Sequence, residues 1–147
     1  MNGFRRLGLV LALAVSVPAL AACENEEITE PTAITMASLA GTYTATTFTT
    51  TRDGSSTNVL ADGATLRITL LPTGATTGLL MVPGAGENGA AFEADLAGTF
   101  TLSDGVVSFT HAADTFVRDI DFTVAGNGSL LGTGTFDGTT ITVILER

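Results

Sequence analysis

The chain has 147 residues, of which 45% are hydrophobic and only 14% are charged. Its fifteen acidic residues outnumber its six arginines, it contains no lysine, and its formal net charge is −9 at pH 7. A surface of this sign repels phosphate backbones and anionic headgroups, so charge alone excludes nucleic acid as a partner.

The first 22 residues have the pattern of a secretory signal peptide. Arg5 and Arg6 form a charged start, an apolar run follows from Leu7 to Leu20, and two small residues precede Cys23. The alternative is an uncleaved membrane helix with Cys23 as an ordinary thiol, but a membrane span takes about 20 apolar residues. The run is shorter than that, so we expect residues 1–22 to be removed.

The cleavage site itself, Leu20-Ala21-Ala22-Cys23, resembles the lipobox of bacterial lipoproteins. The resemblance implies that the Cys23 thiol receives a diacylglyceryl group and that Cys23 becomes the first residue of the mature protein. Since two or more acyl chains hold a protein stably on a bilayer, we expect a lipid-anchored protein of the bacterial cell envelope. Glu24 stands where some lipoproteins carry an aspartate that retains them at the inner membrane, which favours the outer membrane.

Cys23 is the only cysteine in the chain. Because the lipid would consume it, the mature protein has to hold together without a disulfide. Removal of residues 1–22 takes away two arginines and no acid, so the mature chain carries four arginines, fifteen acidic residues and a net charge of −11.

Residues 23–38 are predicted to form an acidic tether, and residues 39–147 a single domain. The tether contains four glutamates and Pro31 but little to bury, so charge repulsion should keep it extended. A short helical turn is expected around Met36 to Ala40. The domain has roughly a hundred residues, which is enough for one independent core.

The domain is predicted to be all β, because short apolar runs alternate with glycine-containing turns. The clearest alternation lies in residues 92–102, where Phe92, Leu96 and Phe100 share one face. The turn pairs Asp104-Gly105 and Asp137-Gly138 adopt positive φ at low cost and imply sequential hairpins. Eight strands are predicted, at residues 42–52, 64–71, 76–82, 92–102, 106–110, 116–125, 129–136 and 139–146.

Eight antiparallel strands joined in sequence can close on themselves, which removes exposed sheet edges. We therefore predict an eight-stranded antiparallel up-and-down barrel. The alternative is a two-sheet sandwich, which the same strand spacing allows but which usually needs long crossover connections.

The start of the first strand, Leu39-Ala40-Gly41-Thr42-Tyr43, resembles the Gly-x-Trp opening of the lipocalins and the wider calycin group, with tyrosine in place of tryptophan. In that group an arginine from the end of the barrel packs over the opening aromatic ring. The resemblance implies a lipocalin-like barrel in which Arg147 closes over Tyr43, a cation–π contact worth about 0.5–2 kcal/mol.

Loop lengths divide the predicted barrel into two unlike ends. The connections at 53–63, 83–91 and 111–115 fall at one end, which we call the long-loop end, and those at 72–74, 103–105 and 126–128 at the other, the short-loop end. Binding functions concentrate on longer loops carried by a rigid scaffold. The alternative is that these glycine-rich loops are tolerated connections without a binding role. The candidate ligand rim at the long-loop end comprises Arg52, Asp53, Asn58, Glu87, Asn88, His111 and Arg118.

The barrel interior is expected to be largely filled, because eight strands leave room only for side chains or for one small ligand. Arg118 shares strand parity with Ile120 and is expected to point inward near a strand end. There it would either meet a ligand carboxylate or extend to water. The predicted inward set is Leu66, Ile68, Leu70, Phe92, Leu96, Phe100, Ile120, Phe122, Phe136, Ile141 and Val143.

Catalytic and metal-binding patterns are weak. His111 is the only histidine, and a pairing with Asp114 is more typical of a local hydrogen bond than of a catalytic dyad. Two carboxylate pairs, Glu93 with Asp95 and Asp119 with Asp121, lack the loop spacing of a calcium site. We expect no enzyme activity, no cofactor and no metal.

Three functions remain in view. We expect a monomeric, lipid-anchored binding module that holds a small apolar or amphipathic ligand at the long-loop end. The alternative is an envelope protein-interaction module or a small-barrel protease inhibitor that uses the same loops without a cavity, and an enzyme is the third. An apolar cavity of several hundred Å³ would favour ligand binding.

Overall fold

The computed structural model describes residues 33–147, which form one compact unit. The predicted signal peptide, the lipobox and Cys23 lie outside the described residues, as does most of the predicted tether. The compact unit begins at Ala33, six residues before the domain boundary expected from the sequence.

Short helices and ten strand segments follow one another in this part of the chain. The element bounds are α1 Met36–Leu39, β1 Gly41–Arg52, β2 Ser55–Asn58, β3 Thr65–Leu70, β4 Ala75–Val82, a 3₁₀ turn Glu87–Gly89, β5 Phe92–Asp95, β6 Gly98–Ser103, β7 Val106–His111, α2 Phe116–Asp119, β8 Phe122–Val124, β9 Leu130–Phe136 and β10 Thr139–Glu146.

The strands form a closed, eight-stranded antiparallel barrel with up-and-down order, as predicted. The order of neighbours around the sheet follows the chain from β1 through β3, β4, β6, β7, β8 and β9 to β10, and β10 also pairs with β1, which closes the cylinder. The ten segments reduce to eight barrel strands because β2 and β3 share one edge of β1, while β5 and β6 lie along β4. An open two-layer sandwich is thereby excluded.

The first long connection is more ordered than predicted. Asp53 and Gly54 have φ of 49° and 79°, the backbone of a two-residue hairpin turn. The next four residues, Ser55–Asn58, pair with Thr49–Arg52 at the end of β1. Residues 53–63 are therefore a short hairpin followed by a turn rather than a free loop.

The fourth predicted strand, residues 92–102, is two strands in the structure. Between them the Ala97 N–H donates to the Asp95 carboxylate at 2.8 Å, and the Leu96 N–H donates to the Gly78 carbonyl at 3.0 Å. A local side chain thus satisfies a donor that a continuous ladder would use. At the start of β6 a Cβ on Gly98 would overlap the Thr110 carbonyl oxygen, so only glycine allows this approach.

The sixth predicted strand, residues 116–125, is wrong over its first half. The helical turn α2 occupies Phe116–Asp119, and β8 covers only Phe122–Val124. Arg118 pairs with Asp114, four residues earlier, at 2.5 Å. This spacing suits a helical turn, not the alternating faces of a strand. Arg118 therefore lies on the surface with its side chain 34% exposed, and the expectation that it points inward is wrong.

The core fills the barrel along the predicted inward faces of the strands. Two glycines of β9 face the interior, and the side chains of Phe122 and Ile120 occupy the space beside them. A Cβ on Gly132 would lie 2.6 Å from the Phe122 ring, and one on Gly134 2.6 Å from Ile120. Large and small residues therefore interlock across β8 and β9, as dense packing requires.

The short-loop end is sealed by α1 and by Arg147. The helix begins with a capping box between Thr35 and Ser38, whose side chains and backbone N–H groups bond reciprocally. Met36 lies against the 72–74 turn at Gly74, and Arg147 lies against the 126–128 turn at Gly128. The chain therefore enters the barrel at the short-loop end.

A contact between Tyr43, in the first strand, and Arg147, the last residue, connects the start of the barrel to its end. The guanidinium carbon of Arg147 lies 5.6 Å from the centre of the Tyr43 ring. Arg147 also donates to the Ser38 carbonyl at 2.9 Å, and the buried Tyr43 hydroxyl donates to the Leu39 carbonyl at 3.0 Å. Burial raises the pKa of the Tyr43 phenol, an effect that the Arg147 charge opposes.

Candidate ligand-binding cavity

A cavity of about 360 Å³ lies at the long-loop end, where the connections after β1, β4 and β7 converge. We call it the rim cavity. Its lining comprises Phe48, Thr50, Val59, Leu80, Val82, Phe92, Asp114, Thr115, Phe116, Asp119, Phe136 and Ile141. Eight of these twelve side chains are apolar, so the cavity is a hydrophobic site with a few polar groups.

The cavity arises where the core is incompletely covered. Phe92, Phe136 and Ile141 belong to the predicted inward set but are only partly buried, whereas the other eight members of that set are buried. The same three side chains line the rim cavity. The inner part of the barrel is therefore filled by these eight buried side chains, as predicted, and the rim cavity lies towards the long loops.

The helical turn α2 lies over one side of the rim cavity. Val117 and Ile120 are buried beneath it and fix it to the core. Phe116 points to the cavity, and its ring centre lies 5.1 Å from that of Phe48 at an interplanar angle of 48°. Tilted aromatic pairs at this separation are favourable, so α2 is held to β1 by a contact between rings.

An acidic edge, formed by Asp114 and Asp119, borders the rim cavity on the α2 side. The Arg118 guanidinium bonds to Asp114 at 2.5 Å and to Asp119 at 2.9 Å. The hydrogen bond from Arg118 lowers the pKa of Asp119, and the two carboxylates raise the pKa of Arg118. Two carboxylates and one guanidinium together have a formal charge of −1.

His111 lies at the end of β7, just behind the cavity wall. Its side chain is buried, and Nε2 is 3.4 Å from the hydroxyl of Thr115, which lines the rim cavity. Among the described residues, Nδ1 of His111 has no hydrogen-bond partner. Burial lowers the pKa of His111, so the ring is neutral at pH 7. Asp114 bonds to Arg118 and not to His111, so His111 and Asp114 do not form a dyad.

The other predicted rim residues surround the cavity but do not line it. Arg52 and Asp53 are exposed at the β1–β2 hairpin. Asn58 accepts hydrogen bonds from the N–H groups of residues 60 and 61 and shapes the turn there. Glu87 and Asn88 are exposed in the 3₁₀ turn. These five side chains stand at the long-loop end without contributing to the cavity wall.

The sequence did not predict that side chains from residues 114–119 line the cavity. A strand over residues 116–125 places Arg118 inside and Asp119 on the outer face, and it does not bring Phe116 and Asp119 to one site. Two spacings carried the correct signal. Asp114 and Arg118 are four apart, and the buried Val117 and Ile120 are three apart, both of which are helical intervals.

Other surfaces offer less convergent chemistry. A depression of about 610 Å³ lies on the outer face of β1, β3 and β4, and four of its eight lining residues are threonines. Within residues 33–147 no group of three or more histidine, cysteine or acidic side chains is arranged to hold a metal ion. No helix in that range has the length and hydropathy needed to cross a membrane.

No family model, curated protein or solved structure matches the chain. The chemistry of the rim cavity therefore has to be argued from its own residues.

Proposed function

We propose that the protein is a lipid-anchored, lipocalin-like binding module of the bacterial cell envelope that holds a small apolar or amphipathic ligand in the rim cavity. The observation that carries the proposal is the cavity itself. It combines three partly buried apolar strand residues, Phe92, Phe136 and Ile141, with the aromatic cover of Phe116 at the end of the barrel that bears the long loops.

The size of the rim cavity suits a small ligand. Sites for small molecules occupy about 300–1,000 Å³ and are lined mainly by apolar and aromatic side chains, and the cavity of about 360 Å³ lies near the lower limit. A ligand of about 12 non-hydrogen atoms, each contributing about 0.5 kcal/mol, would bind with a dissociation constant of the order of tens of micromolar.

The short-loop end supports both the lipocalin-like interpretation and the anchor. The contact between Arg147 and Tyr43 reproduces the closure that the lipocalin resemblance implies. The chain enters the domain through α1 at this end, so the segment that carries Cys23 joins the domain at the end opposite the rim cavity. We further propose that the protein is a monomer and that it lacks enzyme activity. The second proposal is supported by the burial of His111 and by the pairing of Asp114 with Arg118.

A neutral fluorescent probe tests ligand binding directly. The mature chain, residues 23–147, carrying Cys23→Ser so that it is free of lipid, is titrated with N-phenyl-1-naphthylamine. We expect saturable fluorescence enhancement with micromolar affinity. Val82→Trp should fill the rim cavity and weaken binding at least tenfold, whereas Leu79→Trp, on the same strand but on the outer face and 48% exposed, should not.

The outcomes separate ligand binding from protein interaction. The exposed loop residues Arg52 and Glu87 stand beside the cavity without lining it, which is the arrangement expected of a protein-contacting rim. A partner held by these loops would remain bound after Val82→Trp. Absence of probe binding, or equal binding by both tryptophan variants, would therefore contradict the proposed function and favour the interaction module.

A further inference from the structure

The polar side chains of the rim cavity are two threonine hydroxyls and two carboxylates. Among the twelve lining residues the polar side chains are Thr50, Asp114, Thr115 and Asp119. The Thr115 hydroxyl is directed to His111, which leaves carboxylate oxygens as the dominant polar feature. No lining side chain carries a positive charge, so a ligand carboxylate would meet no cationic partner in the cavity wall.

Arg118 does not reverse this charge. It lies outside the lining and is already bonded to both carboxylates of the acidic edge. Asp114 uses only one oxygen for Arg118, and its side chain is 91% exposed, so the second oxygen is free to accept a hydrogen bond from a ligand. The triad of two aspartates and one arginine retains one net negative charge at the cavity mouth.

The rest of the domain adds to this field. Residues 33–147 contain eleven acidic residues and four arginines, which gives a net charge of −7. Two of the four arginines lie away from the long-loop end, since Arg147 closes the short-loop end and Arg67 lies opposite Thr44 near the start of β1. A surface of one sign raises the local concentration of oppositely charged ligands and lowers that of like-charged ones.

We propose, resting on the function proposed above, that the ligand is an amphiphile with a cationic head, whose apolar chain fills the rim cavity and whose ammonium group lies at the acidic edge of Asp114 and Asp119. The structure discriminates against fatty-acid-like carboxylates of the same chain length. An ammonium head supplies the hydrogen-bond donors that the carboxylate oxygens lack, and a carboxylate head would add repulsion.

The test compares heads on an identical chain. Dodecylammonium and dodecanoate, each below its critical micelle concentration, and dodecanol, below its solubility limit, compete with N-phenyl-1-naphthylamine for the mature chain carrying Cys23→Ser. At low ionic strength we expect dodecylammonium to displace the probe at about a tenfold lower concentration than dodecanoate, with dodecanol between them. Added salt should reduce this ratio, because salt screens exposed charges.

Variants of the acidic edge shift the ratio in opposite directions. Asp114→Asn combined with Asp119→Asn should abolish or reverse the preference for dodecylammonium over dodecanoate, because Arg118 is then left without its carboxylate partners. Arg118→Gln, which leaves both carboxylates uncompensated, should widen the preference for dodecylammonium. Asp104→Asn, in the turn at the short-loop end, is the matched control and should leave the ratio unchanged. Circular dichroism of each variant checks that the fold is kept.

The outcomes distinguish the two proposals. If the probe binds but dodecanoate competes as well as dodecylammonium, the cationic-head proposal is overturned while the ligand-binding function stands. The cationic-head proposal is also overturned if the ratio is insensitive to the Asp114 and Asp119 substitutions. If the neutral probe does not bind at all, both proposals fall together.

Discussion

The rings of Phe48 and Phe116 lie 5.1 Å apart and connect β1 to α2 beside the rim cavity. Phe48 is 3% exposed and belongs to the core, whereas Phe116 is only partly buried. The contact therefore joins a rigid wall of the barrel to the one helical segment that covers the cavity. Loss of the Phe116 ring should affect the cover more than the barrel.

Phe116→Ala is expected to accelerate ligand release. Without the ring, α2 loses its contact with Phe48, and the mouth of the rim cavity widens. A fully buried phenylalanine costs about 3–5 kcal/mol when truncated, and we expect about 1–2 kcal/mol here because Phe116 is partly exposed. Stopped-flow release of N-phenyl-1-naphthylamine and urea denaturation measure the two effects, with the exposed Leu131→Ala as a control. An unchanged release rate would show that α2 does not cover the ligand.

The stability of the domain is expected to fall between neutral and mildly acidic pH because of His111. Burial lowers its pKa in the folded state below the ordinary value of about 6.5, so the unfolded chain binds the proton first. The stabilisation is complete above about pH 6.5 and is lost as the pH falls below that value. The charged groups that act on the ring are Arg118 and Asp119 from the α2 segment and Asp95 from β5.

Urea denaturation from pH 5 to pH 8 measures this dependence, with His111→Phe as the comparison. Phenylalanine fills a similar volume and cannot titrate, so the difference in unfolding free energy between the two proteins should rise in favour of the wild type with increasing pH. Asp119 titrates at lower pH, because Arg118 lowers its pKa, and its contribution cancels in the difference. A difference that is flat across this range would show that His111 titrates alike in both states.

The barrel was predictable from sequence because its strands have one clear period. In residues 64–71 leucine and isoleucine alternate with threonine and arginine, and one face is buried as the alternation requires. The hairpin turns at Asp104 and Asp137 are also local signals, since both residues adopt positive φ before a glycine. Local pattern and global fold agree at these positions.

The features that the sequence did not predict depend on contacts made elsewhere in the fold. Ser55–Asn58 has no apolar residue and becomes a strand only by pairing with β1. Phe116 and Ile120 fit the alternation of a strand. That pattern predicts a strand here, although the four-residue interval between Asp114 and Arg118 favours a helical turn. The rim cavity could not be predicted from the sequence, because it forms where several side chains do not pack against one another.

Lipid attachment at Cys23 is tested by Cys23→Ser in the full-length chain expressed in a bacterial host. Since the diacylglyceryl group attaches to the thiol, we expect an unprocessed precursor that lacks lipid, and a mature wild-type protein that fractionates with membranes. Mass spectrometry of the purified protein and metabolic labelling with a fatty-acid analogue measure both outcomes. Normal processing and labelling of the serine variant would refute the anchor.

Arg147→Ala is expected to lower the unfolding free energy without changing ligand affinity. The substitution removes a cation–π contact with Tyr43, worth about 0.5–2 kcal/mol, and a hydrogen bond to the Ser38 carbonyl, worth about 1 kcal/mol. Urea denaturation should therefore show a loss of about 1–3 kcal/mol. The matched control is Arg67→Ala, an exposed arginine on the outer face of β3, which should cost less.

The second half of this prediction tests the independence of the two barrel ends. Arg147 acts at the short-loop end, and the rim cavity lies at the opposite end, with the filled core between them. If the seal at Tyr43 only stabilises the barrel, N-phenyl-1-naphthylamine should bind Arg147→Ala with wild-type affinity under conditions where the variant is fully folded. A weakened affinity there would mean that the closure of the barrel also sets the shape of the cavity, and that the two ends are coupled through the strands that join them.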